Sequence, residues 1–271
     1  MEKEEWTAFT EAEIQNGLVT DVLGKRIVAM GKVCSTNDEA KKMAVEGAVD
    51  GTVVVSEEQT GGRGRLDRKF FSPPGKGLWF SIILRPLIMP EDAPKFTLLS
   101  AVALVDAMGE FGVDAGIKWP NDILDRKEHR KLAGVLTEMR AEVGRIEYIV
   151  LGIGVNVNTE IDDFTEEIRL SAGSMRMVSG SLISRSDFLR TLLRRLDELY
   201  IMVFDSGFVA ILDMWRKRSL TLGKAVKVIE ADEGKIYFGE AMDIDESGEL
   251  IVKSEGKIRK VMAGDVSIRF A

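Results

Sequence analysis

Cysteine and histidine are nearly missing from this chain of 271 residues, which holds one of each, Cys34 and His129. A single thiol excludes an intramolecular disulfide framework and any Cys-rich zinc or iron–sulfur centre. A single imidazole leaves a Ser-His-Asp or Cys-His mechanism one residue to run through, and His129 stands in a segment, Asp125 to Arg130, that reads as a charged surface turn. Long apolar runs are missing too. The longest, around Ile149 to Val155, falls well short of the roughly 18 residues of a membrane helix. Met1 to Trp6 carries acids where a secretory signal carries a basic region and an apolar stretch. These absences predict a soluble chain, in the cytoplasm, with no membrane partner. Positive charge is also in deficit: 37 Lys and Arg against 44 Asp and Glu give a net charge of −7. That argues against nucleic acid as a partner, because phosphate neutralisation supplies nonspecific affinity.

What is present suits a globular protein. With 45% hydrophobic and 30% charged residues, the chain can bury a core, and its length fits one large domain or a medium domain plus a small one. The first thirty residues are weakly patterned, with a short helix predicted around Thr10 to Asn16 and ended by Gly17. Thr36-Asn-Asp-Glu39 has the spacing of a capping box and predicts a helix through Glu46, ended by Gly47. Thr52 to Ser56 reads as a β-branched strand. Gly77 to Leu84 is apolar almost without a break and reads as a strand buried on both faces. Pro94 to Phe111 predicts the core helix, and Lys131 to Glu138 with Ile146 to Val157 predicts a hairpin turning at Glu142 to Arg145. Amphipathic helices follow over Ser186 to Phe204 and Phe208 to Lys217. From Lys224 onward, five short strands separated by tight turns imply a small closed or nearly closed barrel, with a domain boundary near Thr221 to Gly223.

Two segments carry an unusual density of polar chemistry. Gly61 to Lys69 holds four cations and one acid, a net +3 in nine residues, and follows Gln59 a little downstream of the Thr52 to Ser56 strand. Glycines there let backbone N–H groups approach an anion, and arginine offers a planar fork to phosphate or carboxylate oxygens; the alternative is a solvated basic loop. No Gly-Lys-Ser/Thr follows, so it is not a P-loop. Lys118-Trp-Pro-Asn-Asp122 sets a cation, an amide and a carboxylate on a rigid turn, suited to phosphate oxygens and a hard metal ion or, alternatively, to a surface ion pair. Three weaker signals accompany them. Lys131, ahead of Ala133 and Gly134 at a strand mouth, can reach a developing negative charge or be an edge-strand lysine. Gly152-Ile-Gly-Val-Asn156 lacks the third glycine of a dinucleotide fingerprint, so its glycines make room for a flat ligand beside Asn156 or are simple core packing. Ser35-Thr-Asn37 opens a helix and can face a polar ligand.

Taken in order, Ser35-Thr-Asn37, Gly62-Arg-Gly-Arg65, Phe71-Ser-Pro73, Lys118-Trp-Pro-Asn-Asp122, Lys131 to Glu138 and Gly152 to Asn158 resemble the biotin protein ligase family, over roughly residues 20 to 271. The resemblance implies an α+β fold: a mixed β-sheet catalytic domain packed by helices over residues 1–221, the first twenty a short extension, then a small SH3-like β-barrel over 222–271. It implies ATP-dependent attachment of biotin to one lysine of a biotin carboxyl carrier protein through biotinoyl-5′-AMP, with Mg²⁺, and a homodimer. Carried over by motif, biotin falls to Ser35, Thr36, Asn37, Gln59, Arg63, Gly64, Arg65, Lys131 and Gly134. ATP falls to Arg65, Phe70, Lys118, Asn121, Lys131 and Asn156. Arg63, Arg65, Lys118 and Lys131 become the catalytic cations, and Asp122 the candidate base for the carrier lysine, or else a Mg²⁺ ligand or a partner of Lys118. Two departures stand out. Phe70 occupies a place where the family often has tryptophan, so adenine stacking there keeps the ring and loses the indole donor. The catalytic segment begins near residue 20, leaving no room for the N-terminal DNA-binding domain of some relatives. A lipoate-type ligase and a noncatalytic biotin-responsive binder are the rival readings.

Overall fold

The computed structural model describes residues 9–230, 235–263 and 266–270. Its larger part is a mixed seven-stranded sheet built from β1 (Ile27–Val33), β2 (Thr52–Gln59), β3 (Gly77–Leu84), β4 (Ala115–Lys118), β5 (Asp122–Asp125), β6 (Lys131–Glu142) and β7 (Arg145–Asn156). The spatial order is β1-β2-β3-β7-β6-β5-β4. β1 and β2 run parallel, joined by the crossover helix α2 (Thr36–Val45), and every other neighbouring pair is antiparallel.

The alternation of strand side chains decides what each face does. On β3, Leu78, Phe80, Ile82 and Leu84 enter the main core, where α3 (Lys95–Glu110), α5 (Arg185–Ser206) and α6 (Val209–Arg218) pack with Phe96, Leu99, Leu192, Leu196 and Trp215. The predicted core helix is α3, and α5 shares that place. On the opposite face Val54, Ile83, Tyr148 and Val150 pack under Ala40 and Ala44 of α2. Beyond the N-terminal end of α2 the same rows turn small or polar, to Ser81 on β3 and Gly152 and Gly154 on β7. That change leaves a hollow on the sheet.

Two local readings need correction. α2 begins at Thr36 with Ser35 as N-cap, and Ser35 makes no side-chain cap bond. No capping box forms, because the Thr36 hydroxyl is drawn to Gln59. β1 escaped sequence reading: Ile-Val-Ala-Met-Gly-Lys-Val is a half-exposed edge strand with Gly31 and Lys32 interrupting its apolar pattern. β3 has the predicted bounds, and the β6–β7 hairpin turns at Val143 and Gly144, the glycine at φ +72°.

The N-terminal segment around α1 (Glu11–Gln15) lies on α5, where the Asp197 carboxylate accepts the backbone N–H groups of Asp21, Val22 and Leu23. After α6 comes a five-stranded antiparallel sheet, β8 (Ala225–Glu230), β9 (Ile236–Ile244), β10 (Leu250–Ser254), β11 (Lys257–Val261) and β12 (Val266–Phe270), in the order β11-β10-β9-β8-β12. This is the SH3-like unit. Its apolar residues Val226, Val228, Leu250 and Val252 join the main core. Trp119 ties it down at β4, its indole N–H donating to the Gly248 carbonyl at 3.1 Å.

Candidate active site

The hollow beyond α2 is the floor of a cavity of about 680 Å³, within the range of small-molecule sites. Its α2 end is a relay of mostly buried neutral groups that ends on one carboxylate, Glu138. Gln59 Oε1 accepts from the Thr36 backbone N–H at 2.8 Å and from the Thr36 hydroxyl at 3.1 Å. Gln59 Nε2 donates to Ser72 Oγ at 3.1 Å, and Ser72 Oγ donates to the Phe70 carbonyl at 3.0 Å. Ser81 Oγ lies 2.8 Å from Thr36 Oγ1 and 2.6 Å from Asn37 Oδ1. Its one hydrogen can serve one of them at a time. Asn37 Nδ2 donates to Glu138 Oε2 at 2.7 Å. Ser35 lies beside this row, also buried.

The strand glycines do make room, but the protein's own side chains use it. A Cβ on Gly152 would collide with the Asn37 carboxamide, and one on Gly154 would lie 2.8 Å from Phe70 Cε1. A Cβ on Gly134 would meet Lys131 Nζ at 3.1 Å and Phe70 Cε2 at 3.3 Å. Phe70 therefore lies on the glycines of β6 and β7, edge-to-face with Trp79 at 5.8 Å.

The other end of the cavity is charged. The Gly61–Lys69 loop closes on itself through an Arg63–Lys69 bridge and places Leu66 in the left-handed region at φ +55°. Arg63 forks onto Asp38 of α2. Arg65 donates to Asn121 Oδ1 at 3.3 Å and to the Ala263 carbonyl of the SH3-like unit. Gly64 lines the cavity beside them, its N–H bonded to the Arg68 carbonyl at 2.7 Å.

Lys118, at the end of β4, sits 5.5 Å from the centre of the Phe270 ring. Lys131 sits 5.4 Å from the Phe70 ring centre and pairs with Asp122 at 2.5 Å. Asp122 thus holds Lys131, and Lys118 is its register partner across β4 and β5. Lys131 is also no edge-strand residue, because β6 lies between β5 and β7. The amides have structural duties as well. Asn121 Nδ2 donates to the Val135 carbonyl at 2.9 Å, and Asn156 Nδ2 to the Gly173 carbonyl at 2.9 Å.

Sequence reading missed several lining residues. Phe164, Ile168 and Ala172, from the irregular segment after β7, wall one side; Phe164 packs on Phe71 at 6.3 Å, and a bridge from Ala172 to Lys131 pins the segment. Phe270 arrives from the far end of the chain. His129 is exposed, as the surface-turn reading has it, yet it lines the cavity 5.5 Å from the Phe270 ring. Ser81, Glu138 and Asp38 complete the polar wiring. The only advance signal for Ser81 was a hydroxyl inside an apolar strand.

Among the described residues no group of three or more His, Cys, Asp or Glu could hold a metal ion, and among those same residues Asp122 is the only carboxylate lining the cavity. The arrangement can therefore hold a polar, uncharged ring system at the α2 end and gather negative charge at the other.

The sequence profile of the biotin/lipoate A/B protein ligase family matches residues 30–156, and that of the biotin protein ligase C terminal domain matches residues 221–269. The bifunctional ligase/repressor BirA of Bacillus spizizenii is 36% identical over 261 residues, covering 96% of this chain and 79% of BirA. A biotin–[acetyl-CoA-carboxylase] ligase of Mycobacterium tuberculosis is 32% identical over 89% of this chain and 88% of its own length. The solved biotin protein ligase of Aquifex aeolicus in complex with biotin and ATP superposes with a TM-score of 0.78 at 28% identity, covering 91% of this chain and 100% of that one. The chain belongs to the biotin protein ligase branch of the biotin/lipoate A/B protein ligase family.

Proposed function

We propose that this protein is a biotin–[biotin carboxyl carrier protein] ligase, which activates biotin with ATP and passes it to a lysine of the carrier. The observation that carries this reading is one cavity with two unlike ends, a neutral hydrogen-bonded floor and a cationic rim, in a chain related to biotin ligases. Gln59, Thr36, Asn37 and the Ser35 segment would take the polar ring of biotin. Its carboxylate would then point toward Arg63, Arg65 and Lys131.

In the first step a biotin carboxylate oxygen attacks the α-phosphorus of ATP, the bond to the β-phosphate oxygen breaks, and pyrophosphate leaves. Two anions must meet, so alignment and charge neutralisation supply most of the rate. Lys118 and Arg65 would hold phosphate oxygens, and Lys131, steadied by Asp122, would hold the oxygens at the reacting centre. The glycine-flanked loop would shield the mixed anhydride from water. In the second step the carrier lysine, once deprotonated, attacks the anhydride carbonyl and AMP leaves. Asp122 would take that proton. Mg²⁺ would arrive with the nucleotide and stabilise its phosphate charge; Asp122 with phosphate oxygens is a donor set of the kind that ion uses. Asn156, Phe70 and the Phe71–Phe164 wall would border the nucleotide.

The test is ATP–pyrophosphate exchange with biotin, and with lipoate as the control acid. Exchange that requires biotin supports the reading. Exchange with lipoate alone would transfer the chain to the lipoate side of the family, and exchange with neither would leave a noncatalytic binder.

A further inference from the structure

Arg63 reaches from the loop to the first turn of α2, where its two terminal nitrogens close on Asp38, Nη1 to Oδ2 at 3.0 Å and Nη2 to Oδ1 at 2.5 Å. The contacts continue. Asp38 takes Lys41 at 3.0 Å, Lys41 takes Glu138 at 2.9 Å, and Glu138 takes Asn37 Nδ2 at 2.7 Å. A run of alternating charge thus joins the loop arginine to the carboxamide on the cavity floor. The Arg63 bond is the largest influence on the Asp38 carboxyl and holds it below the ordinary aspartate value, against the opposing effect of burial and with help from Lys41.

We propose that Asp38 is a positioning residue for Arg63: it fixes the guanidinium at the cavity before any ligand enters and couples the loop to the polar floor. This rests on the ligase reading above. The side chains of Arg63 and Asp38 are 36% and 28% exposed, so their pair adds little to stability. Its consequence is orientation, because a two-pronged guanidinium–carboxylate contact fixes a plane as well as a distance. The Arg63 backbone is already tied by its bridge to Lys69 and by the Phe70 N–H bond to the Gly62 carbonyl at 2.8 Å. What the fork adds is the direction of the side chain, fixed in advance, which is how preorganisation raises affinity. A clamp that withdrew Arg63 from the site would do the reverse. The geometry favours positioning, since Arg63 lines the cavity while it is held by Asp38.

The test compares the biotin KM and kcat of exchange in wild type, Asp38→Asn, Asp38→Glu, Arg63→Ala and the Asp38→Asn/Arg63→Ala double variant. Asp38→Asn should raise the biotin KM by about five- to tenfold and change kcat less, and Asp38→Glu should recover part of the loss. In the Arg63→Ala background, Asp38→Asn should change KM by less than about twofold, because Asp38 acts through Arg63. A lower or unchanged KM in Asp38→Asn, or an effect that adds in full to that of Arg63→Ala, would overturn the proposal. Full additivity would return Asp38 to an ordinary acid in the first turn of a helix. A wild-type protein without biotin-dependent exchange would instead sink the ligase reading and this inference with it.

Discussion

The two ends of the cavity are made by opposite means. At the α2 end Thr36, Asn37, Ser72 and Ser81 are buried and neutral, Ser81 bonding to Thr36 and Asn37, and Ser72 linked to Thr36 through Gln59. At the loop and β4–β5 end Arg63, Lys131 and Asp122 are charged, roughly a third exposed and paired in forks and ion pairs. Buried neutral groups that satisfy each other discriminate by pattern, because a ligand that fails to replace a bond leaves an unpaired group. Half-exposed charges discriminate poorly, but they can follow charge as it moves during a reaction. On the proposed reading the neutral end is the selector and the charged end the reactor.

The largest effect that can break this division lies at Lys131. Lys131→Ala should lower biotin-dependent exchange by about 10²- to 10³-fold, and a loss under tenfold would remove the charged end from the chemistry. Next comes the packing of the selector. Gly152→Ala drives a methyl into the Asn37 carboxamide and should destabilise the fold by about 1–3 kcal/mol in chemical denaturation, with biotin affinity falling alongside. Ser81→Ala removes the hydroxyl shared by Thr36 and Asn37. It should cost about 1–2 kcal/mol, read by the same denaturation. Phe270→Ala takes the ring from beside Lys118 and should raise the KM for ATP only about two- to fivefold, leaving the biotin KM within twofold; a larger shift for biotin would mean the ends are not separate.

The smallest effect is in pH. Asp38 titrates below its unfolded value when folded, so its contribution to stability is present above about pH 4 and is lost as pH falls through the folded value. The difference in melting temperature between wild type and Asp38→Asn should shrink between pH 5 and pH 3. A constant difference would mean that the Asp38 charge does not matter to stability.

The sequence carried the charged end better than the neutral one. Arg63, Arg65, Lys118 and Lys131 stand in dense, glycine- or proline-marked segments on an acidic chain, and all of them line the cavity. Ser81 was illegible because one serine in Gly-Leu-Trp-Phe-Ser-Ile-Ile-Leu looks like tolerated filler until β3 is laid beside α2. The roles of Asp38 and Glu138 had no signal in the sequence, since each is set by a partner 25 or 101 positions away. Phe164, Ile168 and Ala172 lie in a segment without period, and Phe270 reaches the cavity only through the fold of the SH3-like unit. Strands announced by continuous or alternating apolar residues, such as β3 and the β6–β7 hairpin, were readable. β1 was hidden by Gly31 and Lys32 at an exposed edge.

The most direct measurement is a pair of calorimetric titrations on two variants, Ser81→Ala at the neutral end and Lys118→Ala at the charged end. Each is titrated with biotin, and with a nonhydrolysable ATP analogue in the presence of saturating biotin. The division predicts that Ser81→Ala weakens biotin by about tenfold and the nucleotide by less than twofold, with the reverse for Lys118→Ala. Equal losses of both ligands in both variants would show a single undivided site and contradict it.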